Sequence, residues 1–112
     1  MDTGLAPGVE VSALIRQTEG NGGFATLVHK GDPDRGAILL VVSQRGQHHA
    51  VLERALQRSG QYGWQCCGPR PHEADQLSPY LARRRSADPD CWVLELDIPH
   101  AERFVAETTA TS

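Results

Sequence analysis

The sequence lacks the features that carry a protein into or across a membrane. The longest unbroken apolar run, Ala37 to Val42, has six residues, whereas a membrane-spanning helix needs roughly 18 or more. The first eight residues contain neither a positively charged region nor an apolar segment, so they do not resemble a secretory signal. We therefore expect a cytoplasmic protein.

Basic charge and cysteine are also scarce. The 14 acidic residues outnumber the 11 basic ones, giving a formal net charge of -3, so the overall basic field of a nucleic-acid binder is missing. The three cysteines, Cys66, Cys67 and Cys91, are an odd number, and the adjacent pair cannot readily form a disulfide with each other. This pattern indicates a reducing compartment.

Common catalytic and nucleotide-binding motifs are absent. No serine lies in a G-x-S-x-G motif, and the glycines at 20, 22 and 23 do not match G-x-G-x-x-G. The acidic pairs in Asp32-Pro33-Asp34 and Asp88-Pro89-Asp90 are explained by turn formation. We therefore predict no catalytic, cofactor-binding or metal-binding residue, expect no cofactor, and favour a protein that is not an enzyme.

The length of 112 residues fits one domain with one hydrophobic core. We predict a mobile lead-in over residues 1–8, a single domain over residues 9–107 and a frayed tail over residues 108–112.

The run from Ala37 to Val42 predicts a strand that is buried on both faces in the middle of a sheet. Residues 24–30 and 48–56 are predicted to pair with it as antiparallel hairpins, followed by a fourth strand in which Tyr62, Trp64 and Cys66 point the same way. Alternation of apolar residues predicts a half-buried strand over residues 91–98.

Helices are predicted over residues 12–20 with Ser12 as N-cap, over a segment that buries Leu77, Tyr80 and Leu81, and over residues 101–107. The fold class is therefore α+β: a mainly antiparallel sheet of about five strands with two or three helices packed on one face.

Several stretches resemble a family known only as domain of unknown function 1491, found in short alphaproteobacterial proteins. The matching stretches are residues 11–16, 22–25, 31–37, 80–83 and, most specifically, 88–96, Asp-Pro-Asp-Cys-Trp-Val-Leu-Glu-Leu. The resemblance implies a small cytoplasmic bacterial protein, and it implies no activity, substrate or cofactor. The chain departs from the family pattern at residues 97–101, after the last strand.

One alternative function would use cysteine and histidine. Cys66 or Cys67 with His72 could form a nucleophile and its base, or the cysteines could bind a metal together with a histidine. An adjacent cysteine pair lacks the usual C-x₂₋₄-C spacing of a zinc site, and no local motif supports the catalytic pair. Packed or exposed thiols without a chemical role explain the same residues.

A second alternative is a nucleic-acid accessory factor that uses the cluster Arg83-Arg84-Arg85, with Arg70, to grip phosphate. The same arginines are also explained as cations in the last turn of a helix.

The leading hypothesis is a binding or accessory module that contacts a protein partner, or a second copy of itself, through the sheet or its exposed edge. Tyr62 and Trp64 are candidates for this surface together with Arg83, Arg84 and Arg85, while Trp92 is assigned to the core.

Overall fold

The computed structural model describes residues 6–110. In chain order, the elements are α1 (Pro7–Gly20), β1 (Phe24–His29), β2 (Ile38–Gln44), β3 (Gln47–Leu56), β4 (Tyr62–Cys67), a 3-10 helix (Pro71–Gln76), α2 (Leu77–Ala87), β5 (Trp92–Asp97) and α3 (Ala101–Thr109). The predicted α+β class is confirmed, because the five strands form one sheet whose neighbouring pairs are antiparallel with one exception.

The strand order is β1-β5-β2-β3-β4. The predicted position of β2 inside the sheet is correct, and six of its seven residues are buried. The predicted hairpin between β1 and β2 is wrong. Instead, β5 lies between them, antiparallel to β1 and parallel to β2.

The reason for this insertion is the apolar character of β5 on both faces. Trp92, Leu94 and Leu96 pack on one face of the sheet, and Val93 packs on the other. Inside a sheet, such a strand removes the apolar side chains of both faces from water. At an edge, more of this apolar surface would stay exposed, which is less favourable. The alternation that predicted a half-buried strand therefore underestimated its burial.

The helices cover both faces of the sheet, which corrects the expectation that they share one face. Residues of α1 and α3 pack with Ile38, Leu40 and Leu52 on what we call the first face. Residues of α2 pack with Leu39 and Val41 on the second face. Because β2 is apolar at every position from 38 to 42, its two faces require cover from opposite sides.

The first helix begins at Pro7 rather than near Ser12. Proline suits the first turn of a helix because its missing N–H would have no partner there, so Pro7 is a better start than an internal serine. Residues 1–5 of the predicted lead-in lie outside the described residues. The predicted tail overlaps α3, which continues to Thr109, and its residues 111–112 also lie outside the described residues.

The loop between β1 and β2 packs against the start of β5. The indole N–H of Trp92 donates a hydrogen bond to the Asp32 carbonyl at 2.8 Å, and the Asp32 N–H donates to the Asp90 carbonyl at 3.0 Å. A Cβ atom added to Gly31 or to Gly36 would overlap the Asp90 carbonyl oxygen. These two glycines therefore permit the close approach of the loop to β5.

No helix within residues 6–110 has both the length and the apolar character that crossing a membrane requires.

We predict that Gly31→Ala and Gly36→Ala each lower the free energy of unfolding by about 2 kcal/mol or more, because backbone must shift to relieve the overlap. The measurement is urea unfolding followed by tryptophan fluorescence. Gly20→Ala is the matched control, since a Cβ added at this position would have no atom within 4 Å. It should be neutral or stabilising by up to about 1 kcal/mol. Equal losses in all three variants would contradict this account.

Candidate functional site

Strand β1 is an edge strand with exposed apolar side chains. Phe24 is 74% exposed, Val28 is 49% exposed and Leu27 is 43% exposed, although all three are large apolar residues. The strand Phe-Ala-Thr-Leu-Val-His contains no Asp, Glu, Lys or Arg. The apolar residues of this edge are thus in contact with water without the charges that usually accompany such exposure.

The backbone of β1 directs specific groups away from the sheet. The N–H groups of Trp92 and Ile98 donate to β2 and its flanking residue, at 2.7 Å to the Ala37 carbonyl and 2.9 Å to the Ser43 carbonyl. The backbone N–H and C=O groups alternate in direction along a strand. Those of the odd-numbered residues of β5 therefore point to β1. Their partners Phe24 and Thr26 therefore bond to β5, which leaves the N–H and C=O groups of Ala25 and Leu27 pointing outward from the edge.

A groove runs along the second face between β1 and α2. Its volume is about 350 Å³. The apolar lining is Val28, Val41, Leu77, Leu81, Ala82 and Val93, and Ser78, Arg85 and Glu95 complete it. Val28 is the residue of β1 in this lining, and it separates the groove from the outer edge of the sheet, so a chain that pairs with β1 would lie next to the Val28 border of the groove.

The opposite edge, β4, carries the aromatic residues that the sequence pointed to. Trp64 packs against the core of the first face and is partly buried. Tyr62 is 54% exposed, but the Arg54 guanidinium covers its ring at 4.5 Å from the centroid. Trp92 is buried, as predicted. The two candidate aromatics therefore do not form one open patch.

Arg54 also forms an ion pair with Glu10 of α1, with 3.0 Å between Arg54 Nε and Glu10 Oε1, in a geometry that is not aligned as a hydrogen bond. Burial raises the pKa of the Glu10 carboxyl, and the nearby Arg54 charge opposes this rise. The pair ties α1 to β3 beside Tyr62.

The three consecutive arginines of α2 have different environments. Arg84 turns inward and donates to both carboxylate oxygens of Glu53, at 2.9 and 3.2 Å, and to the Tyr80 hydroxyl at 3.0 Å. The bond to Glu53 raises the pKa of Arg84 above its already high value. Arg83 and Arg85 are exposed. The charge nearest the sheet is thus neutralised by Glu53, and these arginines lie on the face opposite Tyr62 and Trp64.

The two adjacent cysteines are separated by the alternation of β4. Cys67 packs on the second face with Tyr80, whereas Cys66 is exposed and lies opposite Leu52, a residue of the first face. Burial raises the pKa of the Cys67 thiol, although the neighbouring Tyr80 hydroxyl opposes the rise. Burial also raises the pKa of Cys91 to about 11. Both thiols are therefore protonated at neutral pH.

The structure does not bring the candidate metal ligands together. Within residues 6–110, no group of three or more His, Cys, Asp or Glu side chains could hold a metal ion. His72 is exposed on the 3-10 helix, His48 Nε2 lies 2.9 Å from the Pro69 carbonyl oxygen, and His29 Nδ1 lies 2.9 Å from the Cys91 carbonyl oxygen. The thiol and metal alternatives gain no support from this arrangement.

Sequence reasoning missed the β1 edge as a site. The available signal was a strand with apolar residues on both sides and no charge. This pattern predicts a strand that forms a hairpin with β2, and only the insertion of β5 shows that β1 lies at the edge of the sheet.

We predict that iodoacetamide at pH 7.5 alkylates Cys66 first, Cys67 more slowly and Cys91 only after unfolding. Raised pKa values leave little thiolate at the two packed sites, roughly one part in three thousand for Cys91 at pH 7.5. Peptide mapping by mass spectrometry across pH 6 to 10 gives each rate. Faster alkylation of Cys67 than of Cys66 at pH 7.5 would indicate an activated thiol and revive the enzymatic alternative.

We predict that Arg84→Gln lowers the free energy of unfolding by about 1–3 kcal/mol, because it leaves the partly buried Glu53 carboxylate without its bidentate partner. Arg85→Gln, one residue further along the helix, is the control and should change stability by less than about 0.5 kcal/mol. Chemical denaturation compares the two. A larger effect at Arg85 would mean that the inward arginine is assigned incorrectly.

The comparisons with known proteins agree with this fold. The sequence matches the family described as "Protein of unknown function (DUF1491)" over residues 5–106. No curated protein matches the chain.

Three solved structures are similar over most of their lengths. A crystal structure of a DUF1491 family protein from Caulobacter crescentus CB15 has 34% identity and a TM-score of 0.74, covering 83% of this chain and 87% of that one. An NMR structure of a DUF1491 family protein from the same organism has 31% identity and a TM-score of 0.78, covering 98% and 100%. The solution structure of protein Atu0922 from A. tumefaciens has 25% identity and a TM-score of 0.71, covering 98% of each chain. With a match that spans nearly all of its length, this chain belongs to the DUF1491 family.

Proposed function

We propose that the protein is a cytosolic binding module without enzymatic activity, which contacts a protein by adding a strand of that protein to the edge of β1. The observation that carries this proposal is the uncharged edge strand, on which Phe24, Leu27 and Val28 are exposed. Strand addition is a recurrent mode of protein recognition, in which backbone hydrogen bonds supply affinity and side-chain pockets supply specificity.

Natural edge strands usually carry protection against pairing. Lysine, proline, inward-pointing charge, a bulge or a covering element are the common devices. Strand β1 has a bulge between Leu27 and His29, but the residues before it, Phe24 to Leu27, are regular and unprotected. Large exposed apolar side chains at such an edge indicate a contact surface.

The groove beside β1 supports the same function. A strand that bonds to Ala25 and Leu27 continues the pleat of the sheet, so its alternate side chains face the second face, where the groove lies. The lining residues Val28, Leu81 and Val93 favour apolar side chains there, and the lining also contains one charge of each sign, Arg85 and Glu95.

The alternatives have less support. A thiol-dependent enzyme requires a lowered cysteine pKa, whereas the pKa values of Cys67 and Cys91 are raised. Phosphate binding by the arginine cluster would use a charge that Glu53 already neutralises at Arg84. Three free thiols are consistent with the proposed cytosolic location.

The test is selection of random nonapeptides displayed on phage against immobilised protein at low surface density. We expect enrichment of sequences with apolar residues at alternate positions, and amide shifts on β1 when a selected peptide is added to ¹⁵N-labelled protein. Leu27→Lys should weaken peptide binding by about tenfold or more, because it places a charge on the edge.

Leu56→Lys is the matched control, since Leu56 is a 62% exposed leucine on β3, away from this edge. It should leave peptide binding unchanged. Enrichment of no sequence, or amide shifts confined to β4 or α3, would overturn the proposal.

A further inference from the structure

We infer that the strand accepted by β1 is β1 of a second copy of this chain, in an antiparallel pair with Thr26 on the two-fold axis. This inference rests on the proposed function, because it uses the same edge and names the partner. It follows from the register in which β1 is complementary to itself.

The outward-facing backbone groups of β1 are complementary in this register. In a two-fold antiparallel pair centred on Thr26, Ala25 of one copy lies opposite Leu27 of the other. These are the two residues whose N–H and C=O groups point outward, as the bonds from Trp92 to Ala37 and from Ile98 to Ser43 require. Each Ala25–Leu27 pair exchanges two hydrogen bonds, and the symmetry doubles them to four. All four lie before the bulge that follows Leu27.

The side chains of β1 on the second face are also complementary in this register. Phe24 and Thr26 lie opposite Asp97 and Glu95, and Val28 lines the groove with Glu95, which places all three on the second face. The same register sets Phe24 of one copy opposite Val28 of the other, and it does so twice. Aromatic and β-branched residues opposite each other are a favourable cross-strand pair.

On the first face, Leu27 of each copy lies opposite Ala25 of the other. Ala25 packs against the core of the first face, whereas Leu27 is 43% exposed in the single chain. The pairing therefore covers apolar side chains on both faces of the sheet at once.

Other registers are less complementary. A shift by one residue would oppose residues of opposite faces, and would set the outward-facing N–H and C=O groups of one strand opposite residues whose groups bond to β5. A shift of the axis to Leu27 would set Phe24 opposite Lys30, and a shift to Ala25 would set Val28 opposite Gly22. Only the axis at Thr26 gives both Phe24 and Val28 an apolar partner.

Charge complementarity supports the same register. The last turn of α1 contains Glu19 and no basic residue of its own, although Arg103 of α3 lines a cavity together with Thr18 and Asn21 at this end. With Thr26 on the axis, Lys30 of the second copy lies opposite Gly22, two residues beyond the end of α1. The lysine is the first charged residue after β1, and this register brings it towards the end of α1 that contains Glu19.

The axis is perpendicular to the sheet, so the two copies form one continuous sheet and both α2 helices lie on its second face. The two grooves then lie on the same face of this sheet, one on each side of the β1 pair. A short strand pair buries a small area. We therefore expect a reversible dimer with a dissociation constant typical of weak interfaces, about 10 µM to 1 mM.

The test is disulfide trapping on the axis. Thr26→Cys in a Cys66→Ser, Cys67→Ser background places two thiols in a non-hydrogen-bonded pair, where the Cα atoms lie about 4.5 Å apart and a disulfide can form. Under mild oxidation with glutathione, we expect this variant to form covalent dimers about tenfold faster than Phe24→Cys in the same background, since Phe24 lies opposite Val28 rather than itself. Phe24→Cys combined with Val28→Cys should restore trapping.

Sedimentation equilibrium of the unmodified chain from about 10 µM to about 1 mM provides the second measurement, in the range that small interfaces require. Leu27→Lys should abolish the dimer and Leu56→Lys should retain it, with two-dimensional NMR spectra of both variants confirming the fold. A chain that stays monomeric, or equal trapping rates for Thr26→Cys and Phe24→Cys, would overturn the inference. If selected peptides still bind β1 in that case, the proposed function stands and only the second copy is wrong; if neither forms, both fail.

Discussion

The burial of β2 and β5 on both faces is the constraint on which the rest of the structure depends. The two strands lie side by side in parallel, and Leu39, Leu40, Val93 and Leu94 are fully buried there. Apolar surface on both sides of a strand pair can be removed from water only if separate layers cover each side. The chain meets this requirement with α1 and α3 on one face and α2 on the other.

The same constraint determines which strands become edges. Because β5 takes the place beside β2, β1 is displaced to the outside, although it is close to β2 along the chain. The loop that connects them must then pass the start of β5, where Trp92 bonds to Asp32 and two glycines allow the backbones to approach. The exposed side of β1 is thus a consequence of core packing, and the proposed binding function uses a surface that the fold leaves open.

Polar groups on the second face secure α2 instead of forming a reactive centre. Glu53, Tyr80 and Arg84 form one hydrogen-bonded network between β3 and α2, and Cys67 packs beside the tyrosine. Partial burial makes such bonds costly to break and raises the pKa of the enclosed Cys67 thiol. Of the residues that suggested chemistry in the sequence, Arg84 and Cys67 therefore contribute to the attachment of a helix, while strand β1, the edge suited to a partner, contains no Asp, Glu, Lys or Arg.

Local pattern alone determined much of this protein. Local sequence predicts the buried strand β2, the alternating strand β5, the turns at proline and glycine, and the α+β class. These features depend on the spacing of apolar residues and on backbone preferences, which act within a few residues. Tertiary structure alone decided that β5 separates β1 from β2, that α2 covers the second face, that Arg84 turns inward and that Phe24 and Val28 are exposed. These features depend on contacts between residues far apart in the chain, such as Leu40 with Leu94, and a strand's own sequence is compatible with either an interior or an edge position until its neighbours are known.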